Sequence, residues 1–506
     1  MKLSRTLIAG RNMKSELQEI AAKQNSDFER PVENHVINLY PQVQYQTVVG
    51  FGGAMTEAAA WSLQQLSEEK RSEALREYFG ECGAGYTVVR THIDSCDFSL
   101  GMYQAVEDVE KDPDLLTFSI KRDRQYIIPA LKEAMEISSR PLSVLLSPWS
   151  PPAEWKTESM MLKSIESVDD IRKAFPPELS DAEIAEASPM AAAMMKAKES
   201  APTDGSGTRV CGGHLKPAYY GKWAAYLVKY VQAYLEEGIP VKWISVQNEA
   251  QAATPWDSCE WTSEEEKTFL EKFLYPEMEK AGLVGKVGII FWDHNKENLV
   301  GRAFEVLDES TEKIVTGVGF HWYSGDHFEA VQIVHDLHPS LRMMFTEGCC
   351  EFAADDANAH LDHAMRYAHD MIGNLNAGMD TWFDWNMFLD EKGGPNHVGN
   401  FCSAPVMLDG KGGYQKNPSF EYIRLIGSSI EPGAVRIGCT KYTDRLDVTA
   451  FRNPDGSIVC VILNRGEEDL PVNVRIDGTI GQTCAEALSL SVVRIDNKWV
   501  NGDVSL

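Results

Sequence analysis

Between residues 47 and 388 the chain repeats one pattern eight times: a short β-branched or aromatic run that ends in small, polar or charged residues, usually followed by a helical segment. The runs are Thr47–Ala54, Tyr86–Asp94, Leu142–Ser150, Trp243–Glu249, Val287–Asn295, Val315–Ser324, Arg342–Gly348 and Met379–Phe388. Runs that are apolar almost throughout imply burial on both faces, the condition of parallel strands covered by helices. Eight strand-then-helix units in succession specify a closed (β/α)8 TIM barrel.

The intervening helices are legible from their period. In 217–237 the apolar residues Trp223, Tyr226, Leu227, Tyr230, Val231 and Tyr234 fall on one stripe of a 3.6-residue helix, which Gly238 and Pro240 then stop. Segments 264–282 and 359–372 read the same way. After Glu431-Pro432-Gly433 the pattern changes to short strands with turn signals. Leu446–Arg452 and Ser457–Asn464 flank Asn453-Pro454-Asp455-Gly456 and read as a hairpin. The organisation expected is an N-terminal segment over 1–45, a barrel over 46–425 and a β-sandwich over 426–506, with Val36–Tyr40 joining the sandwich. An insertion over 161–213, with a helical stretch at Pro189–Glu199 and a polar loop at Thr203–Gly207, lengthens the connection after the third strand. It reads equally as a lid over the active face and as a surface elaboration.

Composition narrows the partners. With 75 acidic against 48 basic residues the formal net charge is -27, which repels phosphates and anionic headgroups. A neutral substrate is therefore expected, with no nucleic acid and no stable membrane anchoring. No window is apolar for long enough to span a bilayer, and the first residues lack the apolar core of a secretory signal. The ten cysteines form no CxxC pair, which suits reduced thiols and a cytoplasmic location. Oligomeric state is left open.

In a barrel of this type chemistry projects from the carboxyl ends of the strands. Those ends supply Arg90, His92, Asp94 and Asp97; Trp149; Asn248 and Glu249; Asp293 and His294; His321, Trp322 and Tyr323; Glu347; and Trp382, Asp384, Trp385 and Asn386. Carboxylates with tryptophans suit a sugar, whose C–H faces pack on indole and whose hydroxyls bond to Asp, Asn and Arg. Glu249 closes the fourth run and Glu347 the seventh, on opposite sides of an eight-strand ring, so their side chains can converge across its mouth. Glycoside cleavage needs two such groups. A single glutamate at a strand end is as often a structural ion pair; the pair in this setting favours catalysis.

These residues also carry a family resemblance. Gly50-Phe51-Gly52-Gly53-Ala54-Met55-Thr56-Glu57, Ser95-Cys96-Asp97-Phe98-Ser99, Ser147-Pro148-Trp149-Ser150-Pro151-Pro152, Gln247-Asn248-Glu249, His321-Trp322-Tyr323, Thr346-Glu347-Gly348, Asp384-Trp385-Asn386, Gly393-Gly394-Pro395-Asn396 and Asn400-Phe401 occur in this order. Over roughly 35–465 the chain resembles the glucosylceramidase-type glycoside hydrolases, family thirty. The resemblance implies a barrel with an attached β-sandwich, no cofactor or metal, and a retaining double displacement with Glu249 as acid/base and Glu347 as nucleophile. It further implies that Asn248 bonds the sugar 2-hydroxyl, that Asp97, Trp149, Trp385 and Asn400 hold the terminal sugar, and that His321 and Tyr323 line the pocket, Tyr323 donating to Glu347. A general acid of this kind is expected to have a raised pKa. Three departures stand out: the long insertion, Ala250 where a proline is common, and the missing secretion signal.

The expected activity is release of terminal β-D-glucosyl residues. β-Xylosidase, β-fucosidase, β-1,6-glucanase and a catalytically silent sugar-binding barrel are the alternatives. A metal enzyme would need a ligand cluster that these strand ends do not show, His321 having no second His or Cys at ligand spacing. Cys349-Cys350 read as small packing residues behind the nucleophile, and the Ser258–Glu266 acidic stretch as a solvated helix start. Trp256 and Trp261 read equally as aglycone contacts and as core.

Overall fold

The computed structural model describes residues 3–9, 15–24, 34–159, 168–187 except 174 and 178, 191, 195 and 211–496. Eight parallel strands close the barrel: Gly50–Ala54, Tyr86–Ile93, Ser143–Pro148, Val241–Ser245, Gly288–Asn295, Gly317–His321, Arg342–Glu347 and Thr381–Asp384. The last returns to the first in register, Thr381 opposite Gly50 and Asp384 opposite Gly53. Seven of the eight runs contain one of these strands, and the fourth overlaps its strand only at Trp243–Ser245, the strand starting earlier, at Val241. The strands are mostly shorter than the runs because the polar ends turn out of the sheet. Glu249, expected to end the fourth strand, lies beyond its last residue Ser245, in a turn with φ 51°.

The barrel interior is layered by the period of two along each strand. Val88, Leu145, Trp243, Ile290, Met344 and Phe383 form one buried apolar plug. Two residues further along the second and third strands come Arg90 and Ser147, fully buried and polar. The polar layer on the apolar plug is the floor of the site. Outside, the helix Tyr220–Glu236 packs its predicted stripe inward, all six residues buried, and Gly238 ends it at φ 82°.

A ten-stranded sheet forms the second unit, in the order Ser15–Ile20, Leu3–Ala9, Ser489–Ile495, Ile458–Asn464, Leu446–Arg452, Val435–Thr440, Val36–Thr47, Leu470–Ile476, Thr479–Ala485 and Ala22–Gln24. Its apolar core draws Ile37 and Leu39 together with Val448, Cys460, Ile462, Val472 and Val493. The Leu446–Arg452 hairpin forms with Ile458–Asn464, and the early strand joins this sheet. Among the described residues no helix is long and apolar enough to cross a membrane. Of the insertion, the helices Val168–Arg172 and Asp181–Ala187 are described, and Ile171, Ile184, Ala191 and Met195 make a small apolar cluster of their own. The loop at 203–207 and nearly all of 189–199 lie outside the described residues, and with them the lid reading.

Candidate active site

Arg90 is a guanidinium inside an otherwise apolar strand, fully buried, and such a cation is tolerable only if every donor finds an acceptor. Its Nη1 donates to Glu347 Oε2 at 2.6 Å. Its Nη2 donates to Asn248 Oδ1 at 2.7 Å and Asp293 Oδ2 at 3.0 Å, and its Nε to Ser147 Oγ at 3.1 Å. The other oxygen of Glu347 accepts from the Tyr323 hydroxyl at 3.0 Å. With one oxygen held by a buried guanidinium and the other by a phenol, the Glu347 carboxylate is fixed in orientation.

Glu249 stands in a different setting. Its Oε1 lies 3.3 Å from His321 Nδ1 and 3.5 Å from His294 Nδ1. His321 uses its other nitrogen on Asp293 Oδ1 at 3.1 Å, and Asp293 in turn bonds Arg90. One polar chain, Glu249–His321–Asp293–Arg90–Glu347, thus crosses the mouth of the barrel. Two of its members and several neighbours are backbone-strained: Glu249 and Asp293, with Asp94, Trp292 and Asn386, all take φ between 48° and 69°. Each such non-glycine residue costs about 1–3 kcal/mol, and together they mark a place where geometry is held against local preference.

The electrostatics of the free site differ from the expectation for Glu249. Burial raises its pKa, but the two imidazoles beside it, His294 and His321, outweigh burial and hold the carboxylate well below its ordinary range. Glu347 is the one shifted up, by burial first and by the Glu249 charge, against the opposing pull of His321 and Arg90. Burial lowers His321, yet the Glu347 charge and the bonds to Asp293 and Glu249 prevail and raise it to about 9. Asp293 is held low because Arg90 and His321 outweigh its burial. In the free site the spare proton therefore rests on the imidazole beside Glu249.

The remaining sequence-predicted residues surround this chain. Asn248, its oxygen taken by Arg90, leaves its amide nitrogen as a donor. Trp149 and Trp385 pack face to face, centroids 5.2 Å apart, with the Arg90 guanidinium 5.0 and 5.4 Å from the two rings. Asp97 accepts from Asn400 Nδ2 at 3.2 Å, and burial, with the Glu347 charge, pushes its carboxyl up to about 7. Trp256 joins Trp149 and Trp385 in one buried cluster, whereas Trp261 belongs to the main core.

Three expectations change. Of the adjacent cysteines only Cys350 is buried; Cys349 points its sulfur to Cys402 Sγ at 3.0 Å and to the Tyr323 hydroxyl at 3.5 Å. The acidic helix start is capped as expected, with Thr262 and Glu265 forming a capping box, but Glu266 is buried and paired with Arg302 at 2.8 Å. The strand ends do supply a ligand cluster: atoms of Glu249, His294 and His321 lie within 4.8 Å of one another. Sequence reasoning placed Arg90, Asp293 and His294 at strand ends without giving them work. The signal for Arg90 was a lone cation in a buried strand, and for His294 the adjacency of the fifth and sixth strands.

Comparison with known proteins gives a consistent result. A model of the glycosyl hydrolase family 30 TIM-barrel domain matches residues 48–168 and 181–427, and one of the family 30 beta sandwich domain matches 433–491. The lysosomal acid glucosylceramidase of Mus musculus is 29% identical over 454 residues, covering 87% of this chain and 79% of that one. The endo-1,6-beta-D-glucanase neg1 of Aspergillus fumigatus is 24% identical over 440 residues, covering 85% and 80%. Among solved structures, SrfJ from Salmonella typhimurium superposes with a TM-score of 0.82 at 29% identity, covering 97% of this chain and 99% of that one. The endo-beta1,6-glucanase BT3312 gives 0.77 at 25% identity, with the same coverage.

Proposed function

The chain belongs to glycosyl hydrolase family 30, and from that premise we propose that it is a retaining β-glycosidase that releases terminal β-D-glucosyl residues. The observation that carries this reading is the unlike environment of two glutamates at one barrel mouth. Glu347 is oriented by Arg90 and Tyr323, as a nucleophile must be; Glu249 is bonded to an imidazole that carries a proton. In the first step Glu347 attacks the anomeric carbon and the C1–O bond breaks. Glu249 delivers the proton to the leaving oxygen, and a glycosyl ester on Glu347 results. Before that step the His321 proton passes to Glu249. Once Glu249 is neutral it no longer repels charge on Glu347, whose carboxylate stays paired with the Arg90 guanidinium. In the second step Glu249 takes a proton from water, which opens the ester with net retention. Retention requires the two carboxyls about 5–5.5 Å apart in the complex.

Asn248 is assigned to the sugar 2-hydroxyl, and Asp97, Asn400, Trp149 and Trp385 to the far side of the terminal sugar. The glucosylceramidase relatives support glucose. The likeness to BT3312 favours a second reading, internal cleavage of β-1,6-glucan, in which the same sugar sits in a longer site.

The test is hydrolysis of aryl β-glycosides (glucoside, xyloside, fucoside, galactoside) beside β-1,6-gluco-oligosaccharides blocked at the non-reducing end. Turnover of the glucoside is expected, with Glu347→Ala at least about 10⁴-fold slower, a fall of roughly 5.5 kcal/mol in transition-state stabilisation. Glu249→Ala should yield β-glucosyl azide when azide is added. An α-azide would refute retention, and cleavage of the blocked oligosaccharides would replace exo by endo action. Failure of a fluorinated glucoside to label Glu347 would remove it as nucleophile.

A further inference from the structure

The barrel mouth contains a histidine that the proposed reaction leaves unused. His294 is 8% exposed, its Nδ1 is buried without a hydrogen bond, and that nitrogen faces Glu249 Oε1 at 3.5 Å. His321 Nδ1 faces the same oxygen at 3.3 Å. Zinc–nitrogen and zinc–oxygen bonds of about 2.0–2.2 Å in a tetrahedral shell put neighbouring ligand atoms roughly 3.4 Å apart. Both separations from Glu249 match that spacing. All three ligand atoms lie within 4.8 Å of one another, so the remaining gap closes with a modest turn of His294, which no bond at Nδ1 opposes. The outer sphere is also in place. His321 Nε2 lies 3.1 Å from Asp293 Oδ1, so an Nε2–H donated to that carboxylate orients the ring, and the metal takes the place of the Nδ1 proton, which is released on binding.

We propose that Glu249, His294 and His321 form a site for a divalent cation of the zinc type, and that its occupation switches the hydrolase off. Two imidazoles and one carboxylate make a set that zinc prefers over calcium or magnesium, which take oxygen ligands. Three protein ligands leave a fourth position for water. The ion occupies the lone pair on which Glu249 carries its proton, so a metallated Glu249 cannot protonate a leaving group. The inhibitory half of this proposal rests on Glu249 being the acid/base; the binding half does not.

The experiment separates the two. The full-length protein, stripped of metal, is titrated with Zn²⁺ by calorimetry and with Co²⁺ by visible absorption, without substrate. One ion per chain is expected, with the intense d–d bands of four-coordinate Co²⁺. His294→Ala and the isosteric Glu249→Gln should each weaken binding by at least about 10–100-fold, the loss that even outer-shell partners of a metal impose. Aryl glucoside hydrolysis by the wild-type protein should be half-inhibited near the calorimetric Kd and restored by chelator. Absence of a stoichiometric site, or affinity unchanged in both variants, overturns the site. Should His294→Ala fail to fold, as circular dichroism would reveal, Glu249→Gln alone decides. Binding as described with undiminished hydrolysis would overturn the inhibition and with it the role of Glu249, whereas a protein inactive on every glycoside but binding zinc would remove only the glycosidase reading.

Discussion

Arg90 and His321 divide the charge of the barrel mouth between them, and their different chemistry sets what pH can change. The guanidinium stays charged at any working pH, so Glu347 and Asp293 always have a partner. The imidazole does not. Its folded pKa, about 9, lies above the ordinary 6.5, so its contribution to stability is complete below about pH 6.5 and is lost as pH rises through about 9. In the proposed mechanism the same proton is the one Glu249 delivers. Stability to urea and kcat/KM should therefore decline together between pH 6.5 and 9, and the stability decline should vanish in His321→Asn. A flat profile over that window would contradict the proton's placement. At this scale the two glutamates could be placed at the barrel mouth because each closes an apolar run, and the close of a run lies at or just past the end of a strand. The partner of Glu249 could not. Residues 294 and 321 share no short spacing, and only the closure of adjacent strands brings their rings 6.4 Å apart.

The first barrel strand shows how an element can be set by what it omits. Gly50-Phe51-Gly52-Gly53 lacks the third glycine at dinucleotide spacing that a phosphate-cradling loop would need. The structure supplies the positive reason for these glycines. A Cβ on Gly52 would stand 1.7 Å from the Val88 carbonyl oxygen, and one on Gly53 2.6 Å from the Met387 side chain. The second strand approaches so closely because the pairing shifts register between Phe51 and Gly52. Backbone cannot move aside as a side chain can, so Gly52→Ala should cost more than the roughly 1–3 kcal/mol of ordinary overpacking. An unchanged denaturation midpoint would refute this. Strands were legible as elements because burial on both faces leaves an unbroken apolar run. Their ends were not, because Gln247-Asn248-Glu249 continues the run in sequence while the chain has already left the sheet.

Across the whole molecule the barrel and the ten-stranded sheet are joined through His369, on the helix Ala357–Asn376. Its Nδ1 meets Asp447 Oδ2 at 2.8 Å and its Nε2 meets Asp326 Oδ2 at 3.0 Å. Burial lowers this imidazole's pKa, but the two aspartates outweigh burial and raise it. The link is thus fully made below about pH 6.5 and lost as pH climbs through the raised value. His369→Ala should lower the melting temperature more at pH 6 than at pH 9; equal losses would show that packing, not charge, joins the two units. The change of pattern after residue 433 marks where the chain turns to short strands, and Val36–Thr47, which precedes the first barrel strand, lies in the same sheet as those strands. The strands at 3–9 and 15–20 were not legible in the sequence, since Leu3–Ala9 and Ser15–Ile20 mix polar and apolar residues too evenly to announce a face.

The order of that sheet has a consequence for how the molecule is made. Leu3 pairs with Ile495, so a strand that precedes the barrel in the chain gains this partner only after the whole barrel has been synthesised. At about 5–20 residues per second, translation separates the two by roughly half a minute to a minute and a half. Until then Leu3–Ala9 has only Ser15–Ile20 beside it, while the barrel has all eight of its strands once Asp384 is made. The nascent chain thus closes its catalytic unit first and holds an open β edge in waiting, a window in which a chaperone, or another nascent copy, competes for the place reserved for its own C-terminal strands.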